Sequence, residues 1–333
     1  MIAGGVLVIL VASMALTGLA RRYAVSAQVV DVPNGRSSHV MPTPRGGGIG
    51  FVVLFLLAVA ALYSAELLDL ELAVALIGAG VSVAAIGFAD DHRHVPAAYR
   101  LAVHAAAALW VVYWLGVLPT LALFGGSLPP WLAASLFVAR MVWFITLQNF
   151  ISAIDGLAGV EAVTAGAGAA WLGFLLLPGG TWILPLLLAA GVGGFLVWNL
   201  PPARIFMGDV GSGFLGVCLA TLAYESLAVR PAMFWAWTIL LGVFVVDSTF
   251  TLLARMARGR VLYEAHRSHA YQHAARRFGH RAVTLTVGAF NVLWLWPNAW
   301  LVATGRLDAG WGLAAAYIPL LAVTMYFRAG SDS

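Results

Sequence analysis

Apolar residues run along this chain in long blocks, without the alternation of half-buried strands. Eleven blocks stand out, roughly 1–20, 47–65, 70–88, 101–118, 130–149, 160–177, 182–199, 211–229, 232–253, 282–302 and 309–327. Each is close to the ~20 residues with which a helix crosses a bilayer core. Lipid offers the backbone no partner, so each block predicts a helix. The fifth holds Arg140 near its middle, and that side chain is expected to face the bundle interior. Turn signals such as P178-G-G-T181 and L118-P-T120 separate neighbouring blocks. The inverted repeat common in secondary transporters is not visible.

Composition agrees with this pattern. Of 333 residues, 62% are hydrophobic and only 10% charged, against roughly 25% charged in soluble domains. The expectation is an all-α polytopic integral membrane protein with about 11 transmembrane helices, organised as one transmembrane domain over 1–333. The first block has no basic segment before it, and Arg21-Arg22 follows it. It reads as a retained span rather than a signal peptide. The lone Cys218 excludes an intramolecular disulfide.

Charge adds a direction. All 18 basic residues are arginine. Fourteen fall in the connections after odd-numbered blocks, from Arg21 to Arg281, whereas the connections after even-numbered blocks hold only Arg230 and Arg306. The positive-inside rule places the odd connections in the cytoplasm, the N-terminus outside and the C-terminus, with Arg328, inside. The net charge of +4 then reports orientation, not nucleic-acid binding.

The chemistry gathers on that same side, in connections spanning approximately 21–46, 89–100, 150–159, 200–210 and 254–281. Asp90 and Asp91 end the third block. Sequence neighbours do not share a helix face, so the two are expected to do different work. The plain alternative is that the pair only marks the membrane boundary. With Asp209, they could offer oxygens to Mg²⁺, which often bridges carboxylates to substrate phosphates. Asp209 lies between glycines at the start of the eighth block, where a carboxylate can cap free amides or serve a metal–phosphate complex. Asp155-Gly156, with Asn149 as a polar neighbour, could serve similarly, and Asn199 precedes a stiff Pro201-Pro202 approach. In P44-R-G-G-G48 the glycines could let backbone amides approach an anion beside Arg45; the plain reading is a loop.

His266, His269 and His273 follow an i, i+3, i+7 pattern that would place them on one helix face. A zinc site lacks a nearby cysteine and has only Glu264 as a close carboxylate. Diphosphate binding beside Arg267 suits these histidines better. The arginines around them could equally mark the inside face or touch anionic lipid. Asp247 lies within the ninth block and needs a partner. Arg255 is too far along the helix, and Arg140 is a candidate. His104 and Glu225 read as structural.

Taken in order, the blocks R36-S-S-H-V-M-P-T-P-R-G-G-G48, G87-F-A-D-D91, N149-F-I-S-A-I-D-G156, N199-L-P-P-A-R-I-F-M-G-D-V-G-S212 and A265-H-R-S-H-A-Y-Q272 resemble the polyprenyl-phosphate N-acetylhexosamine-1-phosphate transferase family, also called glycosyltransferase family 4. The likeness covers nearly the whole chain and is strongest to the O-antigen initiating branch. It implies an enzyme of the bacterial cytoplasmic (inner) membrane with its active site facing the cytoplasm. It also implies undecaprenyl phosphate and a UDP-N-acetyl sugar as substrates, Mg²⁺ as cofactor with Mn²⁺ as a substitute, and membrane lipid around it; a homodimer is compatible. Asp90, Asp91, Asp209 and Asp155 inherit catalytic roles, the first three around the metal. Arg45, Asn149, Gly156, Asn199, Arg204, Arg267 and His269 inherit substrate contacts. Ser152 and Ala158 stand where many relatives have Asn and Asp, which bears on nucleotide recognition. A membrane transporter or a catalytically degenerate member is the alternative. A transporter would gather its ionisable groups at the midplane, where only Asp247 and Arg140 lie.

Overall fold

The computed structural model describes residues 2–33, 41–116, 122–123, 126–127, 129–151, 154–177, 179–260 and 267–331. Each apolar block is helical over most of its described residues. The helices are α1 (Ile2–Ser26), α2 (Ile49–Ser64), α3 (Leu70–His92), α4 (Ala97–Leu115), α5 (Pro130–Ile151), α6 (Leu157–Leu176), α7 (Ile183–Asn199) and α8 (Asp209–Val229). Then come α9 (Pro231–Leu240), α10 (Gly242–Ala257), α11 (Ala270–Phe278), α12 (His280–Phe290), a π-helical turn (Asn291–Leu295), α13 (Trp296–Ala303) and α14 (Ala309–Tyr326). Among the described residues, seven helices are long and apolar enough to cross a membrane, or eight if α9 and α10 form one broken span. α2 and α7, at 16 and 17 residues, are shorter. The chain is thus an all-α, multi-pass membrane protein.

Two spans depart from straight helices. The ninth block bends by 68° between α9 and α10, where Leu241 separates Pro231–Leu240 from Gly242–Ala257. The tenth is interrupted by the π-helical turn. α11 is a polar helix inside a segment read from sequence as a connection.

α8 lies at the centre, with 83% of its apolar window buried. Phe214 on α8 meets Phe51 and Phe55 of α2 edge-on or tilted, and Phe51 also meets Phe195 of α7. Lipid is as apolar as these side chains, so close fit rather than water exclusion holds the helices together. Gly216 shows the tolerance: a Cβ there would stand 2.6 Å from the Ile145 Cα of α5.

Side-chain links sort the connections into two ends. At one end Arg45 meets Asp91, Arg100 meets Asp209, Tyr23 meets His92, and Asp155 meets both Ala203 and His280. These residues come from the connections after odd-numbered blocks. At the other end the Tyr224 hydroxyl donates to the Gly116 carbonyl and Arg230 to that of Ala303.

Candidate active site

The centre of the site is the junction of α3 with α8. α3 runs out at His92 and α8 begins at Asp209. The first amides of a helix lack internal partners. Here Asp91, from the other helix, supplies the acceptors. Its Oδ1 accepts from the Asp209 amide at 3.0 Å and its Oδ2 from the Val210 amide at 3.2 Å. The α3 end is closed in turn by Arg45, which donates to the carbonyls of Asp91 and Asp90 at 3.1 and 3.3 Å. Gly208 makes the approach possible. Its φ is +75°, and a Cβ there would collide with Asp91 Oδ2 and stand 2.7 Å from the Gly46 amide nitrogen.

Two of the three amides of the glycine run are spent on backbone. Gly47 and Gly48 donate to the carbonyls of Phe206 and Met207 at 2.9 and 2.8 Å, and Phe206 donates back to Pro44 at 2.8 Å. These residues form a strand-like seam that pins the α7–α8 connection. The physical reason is that a glycine loop lets backbone meet backbone first.

Asp90 and Asp209 are held differently. Arg100, in the first turn of α4, places one guanidinium nitrogen 2.8 Å from Asp90 Oδ2 and 2.8 Å from Asp209 Oδ2. Asp90 Oδ1 accepts from the Val95 amide at 2.7 Å. The Asp91 side chain is 2% exposed, whereas Asp209 and Arg100 are 23% and 27% exposed. Water and solutes therefore reach the arginine bridge and not the cap. Sequence reasoning counted Arg100 only as an orientation charge; its place nine residues after the acidic pair was the available signal. Among the described residues, no three His, Cys, Asp or Glu side chains form a ready-made metal cage.

A second station surrounds Asp155. Its Oδ2 accepts from the Ala203 amide at 3.1 Å and lies 3.4 Å from His280 Nδ1. Its carbonyl accepts from Thr284 at 2.9 Å. Next to it, Gly156, at φ +76°, donates to Asn199 Oδ1 at 3.0 Å, and Asn199 donates to the Ile205 carbonyl at 3.0 Å. Asp155, Gly156 and Asn199 thus brace the α5–α6 turn against α7, the α7–α8 connection and α12. His280 and Thr284 were not anticipated from sequence.

The third station pairs Asp247 with His269. The carboxylate lies 2.9 Å from His269 Nδ1 and accepts from the Ala270 amide at 2.8 Å. Arg140, the candidate partner read from sequence, is not the one that Asp247 takes. Arg140 instead donates to Thr238 at 2.6 Å and stacks over Phe234 at 4.1 Å. The loop before α11 folds back onto α10 and reaches Asp247 first. His269 also lies outside the helix it was expected to share with His273. It is the residue before α11, where it forms a capping box with Gln272. Burial, with Arg276 adding its charge, holds the His273 imidazole below its ordinary pKa.

Arg204 and Arg267 are exposed at the same end, with their carbonyls accepting from Arg21 and Arg276. Ala158 is buried. The Asn149 side chain and residues Arg36, Ser152, Glu264 and His266 lie outside the described residues.

The family model for glycosyl transferase family 4 matches residues 72–227, which include Asp90, Asp91, Arg100, Asp155 and Asp209. A probable undecaprenyl-phosphate N-acetylglucosaminyl 1-phosphate transferase of Bacillus subtilis is 28% identical over 296 residues, covering 84% of this chain and 79% of the relative. A decaprenyl-phosphate N-acetylglucosaminephosphotransferase of Mycolicibacterium smegmatis is 30% identical over 281 residues, covering 73% and 67%. A phospho-N-acetylmuramoyl-pentapeptide-transferase of Synechococcus elongatus is 33% identical over 242 residues, covering 66% and 63%. With the acidic junction and helical bundle in place, these matches make the chain a member of glycosyl transferase family 4, the polyprenyl-phosphate N-acetylhexosamine-1-phosphate transferases.

Proposed function

We propose that this chain transfers an N-acetylhexosamine 1-phosphate from a UDP-sugar to undecaprenyl phosphate, releasing UMP and starting an O-antigen-like lipid-linked glycan. The observation that carries this reading is the Asp90–Arg100–Asp209 bridge, set at the end of the bundle that collects the arginine-rich connections. On this reading the chain crosses the bacterial inner membrane eleven times, with that end in the cytoplasm. A soluble anionic donor and a lipid phosphate would meet there. A homodimer is compatible with the arrangement.

In the proposed reaction an oxygen of the lipid phosphate attacks the β-phosphorus of the donor. The bond from that phosphorus to the oxygen bridging it to the α-phosphate breaks, and UMP leaves with that oxygen. A phosphate monoester is largely dianionic at neutral pH, with a second pKa of about 6, so the chain need not supply a strong base. Its work is to hold phosphates in line. Arg45 and Arg100 flank the acidic junction; Arg204 and Arg267 add charge at the same end. Asp155, Gly156 and Asn199 shape the turn assigned to the donor, with Asn149 beside it. His269, buried against Asp247, shapes the side of the site assigned to the diphosphate or sugar.

Mg²⁺, or Mn²⁺ in its place, is the cofactor that this reading requires. The donor set fits: Asp90 and Asp209 already present one oxygen each to the same cationic nitrogen. Mg²⁺ commonly takes one or two carboxylates and completes its shell with water and phosphate. Asp91 has both oxygens on backbone amides, so it serves by fixing Asp209. When bound, the ion would neutralise charge on the diphosphate and the departing UMP.

The test incubates purified protein with undecaprenyl phosphate, Mg²⁺ and UDP-linked N-acetylglucosamine, N-acetylfucosamine or N-acetylquinovosamine. UMP release together with a lipid-linked product, lost on chelation, is expected from at least one donor. Folded protein that yields no product from any donor, beside a working relative, would sink the proposal.

A further inference from the structure

Two polar side chains inside the bundle take no part in the stations above. Glu161 lies on α6, six residues beyond Asp155, and is 0% exposed; Asn291 opens the π-helical turn and is 1% exposed. Asn291 Nδ2 donates to Glu161 Oε2 and, at 2.8 Å, to Thr164 Oγ1. Both amide hydrogens are then used. Two buried acceptors remain, Glu161 Oε1 and Asn291 Oδ1, and neither has a hydrogen-bond partner of ordinary geometry among the described residues, although the Phe244 amide at the start of α10 also faces the Glu161 carboxyl.

No described cation forms an ion pair with Glu161. Arg140, the cation within α5, is bonded to Thr238, and Tyr317 also spends its hydroxyl on Thr238, on the carbonyl. An ionised carboxylate with no cationic partner is costly at this depth. One proton on Glu161 removes the cost and supplies the donor that the pair lacks.

The same two helices are joined a second time, nearer the end of the bundle. Thr284 on α12 donates to the Asp155 carbonyl just before α6. Asn291 follows Thr284 by seven residues, which is about two helical turns or ~10 Å. α6 and the bulged span are thus fastened at two levels. π-helical turns recur at functional sites, and this one presents the inner fastener.

We infer that Glu161 is carried as the neutral acid, its Oε1 proton donated to Asn291 Oδ1 while Asn291 Nδ2 donates to Oε2, and that this acid–amide pair positions the Asp155 turn. Glu161 and Asn291 are therefore positioning residues. The protonation state is independent of the proposed reaction; only the kinetic consequence rests on it.

Infrared spectra of the full chain in lipid, at neutral pH, test the first half. A carbonyl band of a protonated carboxylic acid is expected in the native protein and is absent from E161Q. E161Q, which keeps the shape and stays neutral, melts close to the native protein, and E161A melts well below it. Absence of the band, or an E161Q variant as unstable as E161A, overturns the neutral acid.

Positioning is read by hydrogen exchange at amides 154–157. Exchange there is faster in E161A and N291A and native-like in E161Q. In the transfer assay, E161A raises KM for the UDP-sugar about tenfold, within the usual range for coupling through packed residues. KM for undecaprenyl phosphate is unchanged, and E161Q restores the donor value. Unchanged exchange, or equal effects on both substrates, overturns positioning. A chain that transfers no sugar would contradict the proposed function while the infrared and exchange results still decide this inference.

Discussion

At the α3–α8 junction Asp209 keeps an oxygen on an arginine side chain 2.8 Å away; at the α5–α6 turn Asp155 keeps one on the Ala203 backbone amide. Both aspartates precede or begin a helix at the same end of the bundle, and both belong to sequence blocks that read as functional. The difference lies in what a ligand would have to displace. A partly exposed arginine–carboxylate contact is worth about 1 kcal/mol or less. Stripping a buried backbone donor of its acceptor costs about 1–3 kcal/mol. The Oδ2 atoms of Asp209 and Asp90 can therefore exchange their arginine for a ligand at small cost, whereas Asp91, Asp155 Oδ2 and Asp90 Oδ1 hold backbone in place. A carboxylate oxygen in a motif is available for chemistry only when it is not already committed to the backbone.

Substitutions sharpen this contrast. The largest effect is expected from Asp209→Asn, which removes charge from the exchangeable pair and keeps its shape. Transfer should fall about a thousandfold, the scale of losing a main electrostatic contact, with a melting temperature near native. Asp91→Ala should act mainly on stability. A buried amide and a part-buried one lose their acceptor, the buried one at about 1–3 kcal/mol, so a clear drop in melting temperature is expected, with activity lost through displacement of Asp209. A variant that stays as stable as native protein would contradict the capping role.

Arg100→Ala breaks the comparison from the other side. It leaves Asp90 and Asp209 facing each other without their cation. Mn²⁺ binding, followed by electron paramagnetic resonance, should tighten about tenfold, the equivalent of about 1.4 kcal/mol, while turnover falls for want of a phosphate contact. Unchanged Mn²⁺ affinity would mean that the arginine does not compete for those oxygens. The smallest effect is expected from Asp155→Asn, whose remaining carbonyl oxygen still accepts from Ala203. Stability should change by about 1 kcal/mol or less, with a modest rise in donor KM. A loss as deep as that of Asp209→Asn would erase the distinction between the stations.

The helices were legible because lipid leaves the backbone no other choice. The break at Leu241 and the π-helical turn at Asn291 were not: neither changes the average hydropathy of its block. The three aspartates of the junction were legible as a group. Their division of labour was not, since it depends on which oxygens meet the start of a distant helix. Arg100 was hidden among arginines that all served the orientation argument. Glu161 was hidden by its apolar neighbours in G159-V-E-A162, and Asp247 took His269 as its partner because a connection folds back to reach it.

The most direct test of the exchangeable acidic bridge measures UMP and lipid diphosphate sugar together, from native protein and from Asp209→Asn, in the same detergent with Mg²⁺. Stoichiometric formation of both products by the native chain, and neither by the folded variant, is the expected result. Native-level turnover by Asp209→Asn would contradict the account.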